Sequence, residues 1–187
     1  MSFWNRLRVI KMFFQLVKNP KRTDLIFKGI EIVSKDVNQE PIKVIEQRVL
    51  SNKDFQAMYD DNYFPKLPEM KTLAGLPENS FGKSLYKHMH NNNLDFEAFY
   101  EQRENLDLKR PIHYLSTRIY QDHDLWHVLL GYGVEVEDEL AVQGFGVAQF
   151  QSPIAIVIII GGLLHLLGKN PLRAVGAFNK VNEAYQI

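Results

Sequence analysis

No cysteine occurs among the 187 residues, which excludes disulfides, thiolate zinc sites and a cysteine nucleophile together. Any metal must be held by imidazole and oxygen donors. A membrane-spanning helix needs about 20 consecutive apolar residues, and the longest such run here, 154–167, stops short of that. Strict apolar–polar alternation, the mark of a half-buried strand, is missing, and so is any internal repeat. Overall charge is missing too, because 22 basic and 22 acidic side chains cancel. Nothing resembles a nucleic-acid-binding module, so no nucleic acid partner is expected.

What is present is an ordinary globular composition, 45% apolar and 24% charged, at a length suited to one domain with a substantial core. The cancelling charges are unevenly spread. Residues 1–35 hold Arg6, Arg8, Lys11, Lys18, Lys21, Arg22, Lys28 and Lys35 against Asp24 and Glu31 alone. That local excess points to an anionic partner, and a membrane surface is favoured over nucleic acid.

The chain reads as all-α: a single-domain helical bundle over 1–187, with a metal-binding helical hairpin and a central apolar helix. Residues 3–17 form an amphipathic helix, with Phe3, Leu7, Ile10, Phe14 and Val17 on one face and Trp4 and Phe13 widening it. Aromatics beside Arg6, Arg8 and Lys11 suit a membrane interface. Apolar helix faces are more often core, so a core or homodimer contact ranks slightly ahead. Asn19-Pro20 ends this helix, and Thr23 caps another running to about Lys35. A capping box at Ser51-Asn52-Lys53-Asp54 opens a short helix toward Tyr59. Residues 62–79, with Pro65, Pro68, Gly75 and Pro77, read as irregular. Helices follow over 80–92, 95–104, 112–131, 134–150, 153–167 and 171–186. Ser152-Pro153 and Asn170-Pro171 each set a cap before a proline at the first helical position.

The run 154–167 is apolar on every side, as expected of a helix at the buried centre of the domain. It also suits a cavity for an apolar ligand. Ile158, Gly161, Gly162 and His165 are the candidate lipid-binding residues, since the glycine pair would admit a close approach. Taken alone, the core reading is the better one, with His165 a satisfied core histidine.

The chemistry sits in His123-Asp124-Leu125-Trp126-His127. His123 and His127, one turn apart, project from one helical face, as two cis ligands of a Zn²⁺-type ion require. The Gly131-Tyr132-Gly133 turn follows. Glu139 lies as far beyond Gly133 as His127 lies before it, so an antiparallel hairpin sets the two side by side. With Asp124 added, two neutral imidazoles and two carboxylates balance a dication, and mixed N and O ligation suits Zn, Fe, Mn or Co better than Ca. The bland alternative is a pair of surface histidines beside a solvated acidic face. The zincin pattern H-E-x-x-H fails here because Asp124 stands at the glutamate position. The HD phosphohydrolase pattern needs an earlier histidine, for which His88 or His90 could serve, and a late aspartate. No aspartate follows Asp138, which leaves that reading third.

His123-Asp124-x-x-His127 followed by eleven residues and Glu139 resembles the H-D-x-x-H-x11-E signature of the coenzyme Q biosynthesis protein 4 family. Leu76-Pro77-x-x-Ser80-Phe81-Gly82 with Leu85-Tyr86, and the apolar helix after the hairpin, extend the resemblance over about residues 20–187. The resemblance implies an all-α protein peripheral to a membrane and acting in ubiquinone biosynthesis. It makes His123, Asp124, His127 and Glu139 the ligands of a divalent metal, Zn first, with Fe, Mn, Co or Mg as alternatives. It implies as partners a prenylated lipid or quinone precursor, the membrane surface and other quinone-biosynthesis proteins. Two functions fit: metal-dependent oxidative decarboxylation replacing a ring C1 carboxylate by hydroxyl, and a lipid-binding scaffold with a structural metal. No catalytic residue is identifiable. Without a serine-rich presequence, the expected place is a bacterial cytoplasm at the inner membrane. The mitochondrial matrix face is expected if the source is eukaryotic.

Overall fold

The computed structural model describes residues 2–19, 22, 25, 28–29, 32, 40–94, 96 and 108–187. Among these every regular element is a helix, as expected: α1 (Phe3–Lys18), α2 (Glu40–Leu50), α3 (Lys53–Asp60), α4 (Met70–Ala74), α5 (Phe81–Asn91), α6 (Pro111–Leu130), α7 (Val136–Phe150), α8 (Pro153–Lys169) and α9 (Pro171–Tyr185). The helix expected from Thr23 to Lys35 and the one over 95–104 lie largely outside the described residues. No described helix is long and apolar enough to cross a membrane.

Local chemistry explains most boundaries. The Ser2 hydroxyl accepts from the Asn5 amide at 3.2 Å, Ser80 from Lys83 at 3.1 Å and Ser152 from Ala155 at 3.3 Å. Each satisfies an amide that the first helical turn leaves open. Asn170 serves twice: its amide donates to Leu166 at the end of α8, and its side chain accepts from Leu172 and Arg173 at the start of α9. Gly131 ends the turn after α6 with φ +74°, a conformation glycine adopts without penalty. Two boundaries differ from expectation. The cap of α3 is Asn52, accepting from Phe55 at 3.0 Å. Ser51 instead donates to the Arg48 carbonyl at 2.6 Å, closing α2, a helix not foreseen. The single turn α4 falls within the stretch expected to be irregular.

The chain divides into two compact units, one formed by 1–35 and 129–187, the other by 36–128. In the first, Leu140 of α7, Leu166 of α8 and Ala174 and Ala177 of α9 make the core, with Val136, Ile158, Leu163 and Val181 packed on it. Helices α7 and α9 approach so closely that a Cβ on Gly144 would lie 2.6 Å from the Val181 carbonyl oxygen. Ion pairs from Arg173 to Glu137 and from Lys180 to Asp138 (2.5 Å) flank this contact. Helix α8 is not buried all round. Ala155, Gly161, Gly162 and Leu166 face the core, while Ile156, Val157, Ile160, Leu164 and Leu167 are exposed. Uniform apolarity hides which face packs, and among the described residues α1, α7 and α9 supply its main packing partners. On α1, Phe13 and Val17 meet α8, whereas Trp4, Leu7, Ile10 and Phe14 are exposed. The expected stripe therefore divides: its Phe13 and Val17 end packs against α8, and those other four residues stay exposed.

In the second unit, Leu73, Leu85 and Met89 form a core with Met70, Tyr86, Leu94, Phe96, Leu125 and Val128 around it. Fully buried Tyr114 is a second hub. Its ring meets Phe55, Tyr59 and Phe64 edge-on at 5.0–5.5 Å, a favoured aromatic geometry, and its hydroxyl donates to the Tyr63 carbonyl at 2.6 Å. These contacts fix α6, the helix that carries the histidines.

Candidate metal centre

Helix α6 sets His123 and His127 one turn apart, with their Nε2 atoms 3.2 Å from each other. Metal–imidazole bonds of about 2.0–2.1 Å at a tetrahedral angle put two nitrogens roughly 3.3 Å apart, so the pair is spaced as cis ligands are. The ring planes meet at 81°. His127 is only 1% exposed and His123 half-buried. Neutral imidazole is the form that binds a metal. Along the continuous stretch from α6 through the turn into the first turn of α7, one ligand atom from each of His123, His127 and Glu139 lies within 4.8 Å of the others.

Asp124 is not part of that group. Its Oδ1 lies 3.9 Å from His88 Nε2 of α5. Burial, with the nearby Asp124 carboxylate adding to it, raises the Tyr120 phenol above its ordinary range. Arg118 braces the preceding turn, donating to Gln121 and, at 3.1 Å, to Asp122. Gln121 in turn donates to the Pro65 carbonyl at 2.8 Å. Burial pushes the Asp122 carboxyl up, with Arg118 opposing. Trp126 contacts the His123 ring edge-on at 6.3 Å.

His88 is the residue that sequence reasoning passed over, since it entered only through the phosphohydrolase comparison. Its ring stacks on His127 at 5.3 Å and 24°. The signal was its phase on α5, where it neighbours the buried Leu85 and Met89. His90, by contrast, is exposed and stacks on Tyr86.

The four candidate lipid residues are engaged in helix packing. Ile158 borders the core of the first unit. A Cβ on Gly161 would meet the Phe13 ring at 3.3 Å and Val17 at 3.5 Å, and one on Gly162 would meet Leu140 at 2.5 Å. His165 Nδ1 pairs with the Val17 carbonyl at 2.5 Å, the part of a satisfied histidine. An open apolar cleft of about 190 Å³ lies on the neighbouring face, lined by Val147, Ile156, Ile159, Ile160, Phe178 and Tyr185 among others. Small-molecule pockets run to roughly 300–1,000 Å³, so this cleft has room for part of a long chain.

The profile of the coenzyme Q (ubiquinone) biosynthesis protein Coq4 family matches residues 6–178. Over 127 residues the chain is 31% identical to the mitochondrial ubiquinone biosynthesis protein COQ4 homolog 2 of Paramecium tetraurelia, a match covering 67% of this chain and 60% of that protein. Over 123 residues it is 27% identical to mitochondrial COQ4 of Saccharomyces cerevisiae (strain RM11-1a), covering 64% of this chain and 35% of that protein. The matches thus span less than two thirds of either relative. A crystal structure from Nostoc punctiforme, named for ubiquinone biosynthesis, superposes with a TM-score of 0.77 at 18% identity, covering 97% of this chain and 83% of that one. That likeness concerns the fold.

Proposed function

The chain belongs to the Coq4 family of coenzyme Q (ubiquinone) biosynthesis proteins, and from that premise we propose that it acts in making a prenylated quinone, through a divalent metal bound by His123, Asp124, His127 and Glu139. The observation that carries this reading is the 3.2 Å spacing of the His123 and His127 Nε2 atoms, with Glu139 within ligand reach of both. The donors suit Zn, Fe, Mn or Co. When bound, the metal would supply Lewis acidity or redox capacity at an open coordination position. The protein's own part is to orient the aromatic ring and exclude water. The mostly buried imidazoles and the Trp126 ring serve that end.

The apolar chain of the precursor would lie in the cleft at Ile156, Ile159 and Ile160 and continue along the exposed face of α8. Membrane contact would be made by α1. Trp4, Leu7, Ile10 and Phe14 of α1 are exposed with Arg8 and Lys11 beside them, the pattern of an interfacial helix. Patches of this kind on one unit mark an interaction surface.

The reaction in question exchanges a ring carbon–carboxylate bond for a carbon–hydroxyl bond. It releases CO2 and consumes O2 together with a two-electron donor. The test is metal-loaded protein with anionic vesicles carrying a prenylated aromatic acid labelled in its carboxyl carbon, under O2 with ascorbate as donor. Labelled CO2 and hydroxylated product, lost on chelation, are the expected result. Binding of the acid without label release would assign the protein a scaffold role instead. A protein that neither binds the acid nor releases label would overturn the proposal.

A further inference from the structure

We propose that His88 is a positioning residue of this centre, holding the Asp124 carboxylate in the orientation from which it serves the metal. The inference rests on the metal reading above and adds to it a residue outside the His123–Glu139 stretch. His88 lies on the core face of α5, its side chain only 9% exposed. Its Nε2 is buried and has no hydrogen-bond partner among the described residues. A buried polar atom left in that state is costly, and such atoms normally find a partner. Asp124 Oδ1, at 3.9 Å, is just beyond the roughly 2.7–3.2 Å of an N–H···O bond. A small turn of the Asp124 side chain closes that gap.

That turn has a use. Asp124 adjoins His123 in sequence but stays outside the group formed by His123, His127 and Glu139, and its side chain is one-third exposed. A carboxylate has two oxygens, so one can face the ion while the other accepts from His88 Nε2–H. In this arrangement His88 carries its ring proton on Nε2. Ligating groups are characteristically held this way by a second hydrogen-bonded residue, and losing it typically costs about 10–100-fold in metal affinity. Direct ligation by His88 fits less well. His88 stands outside the group whose ligand atoms converge, His123, His127 and Glu139, and its ring stacks on that of His127 at 5.3 Å.

The experiment titrates Co²⁺ into the full chain against a chromophoric chelator. It compares the parent with His88→Ala, His88→Gln, Asp124→Ala and the His88→Ala/Asp124→Ala double variant. Circular dichroism confirms folding, and Cu²⁺ electron paramagnetic resonance counts bound imidazoles. His88→Ala is expected to weaken binding about 10–100-fold with two imidazoles still bound. His88→Gln, whose amide can donate to Asp124, should bind close to the parent. In the Asp124→Ala background His88→Ala should add nothing. The proposal is overturned by parental affinity in His88→Ala, by an undiminished effect without Asp124, or by loss of an imidazole in His88→Gln. If His88→Ala does not fold, His88→Gln decides through its affinity and imidazole count. A parent chain that binds no Co²⁺ would overturn the metal reading itself, a separate outcome.

Discussion

A His127→Ala protein is expected to bind a divalent ion roughly 10²–10³-fold more weakly than the parent. A structural zinc site of four ligands is worth about 10–16 kcal/mol, or roughly 2.5–4 kcal/mol per ligand, which converts to about that factor. His127 is the more buried of the two histidines, so no side chain at the surface can readily replace it. His127→Gln, which keeps most of the volume, separates loss of the ligand from loss of packing. The competition titration described for His88 supplies the measurement. Protons compete with the ion for the same imidazole nitrogens, so parental affinity should also fall as pH falls. Affinity within a factor of a few of the parent would remove His127 from the ligand set.

Leu140→Ala should lower stability by about 2–5 kcal/mol, a large share of the roughly 5–15 kcal/mol a domain commonly has. Leu140 is 2% exposed and stands among Leu166, Ala174 and Ala177. It also fills the space that the missing side chain of Gly162 leaves. Truncation therefore opens a cavity with little nearby to collapse into it. Leu172→Ala, at a residue 83% exposed, is the contrast, with an expected change within about 0.5 kcal/mol. Urea unfolding midpoints compare the three proteins. Equal losses in both variants would mean that the α7–α8–α9 contact is not where the stability lies.

These expectations draw on what was legible in the sequence and on what was not. Helices announced by a cap and a proline, at Ser152-Pro153 and Asn170-Pro171, were legible to within a residue or two at their starts, because capping is a local interaction. Helix α2 was not. Its Val44, Ile45 and Val49 are β-branched, with propensities that do not separate helix from strand. Missing α2 misplaced the next cap, since Ser51 reads as a helix start only if nothing ends before it. For α8 the apolar pattern fixed a helix but no face, and the face was chosen by Phe13, Val17 and Leu140, residues distant in sequence. The same division runs through the site. His123 and His127 were legible because an i,i+4 spacing fixes their relation on any helix. His88 required α5 to be brought against α6 through Leu85, Met89, Leu125 and Val128, which no local pattern encodes.

The central claim is that this chain holds a metal through His123 and His127. X-ray absorption on the purified full chain, loaded with one equivalent of Zn²⁺ and dialysed, tests it most directly. The account predicts about one ion per chain with two imidazole nitrogens at roughly 2.0–2.1 Å and carboxylate oxygens completing the shell. A chain that retains no ion after dialysis would contradict it, and so would full retention by a His123→Ala/His127→Ala double variant.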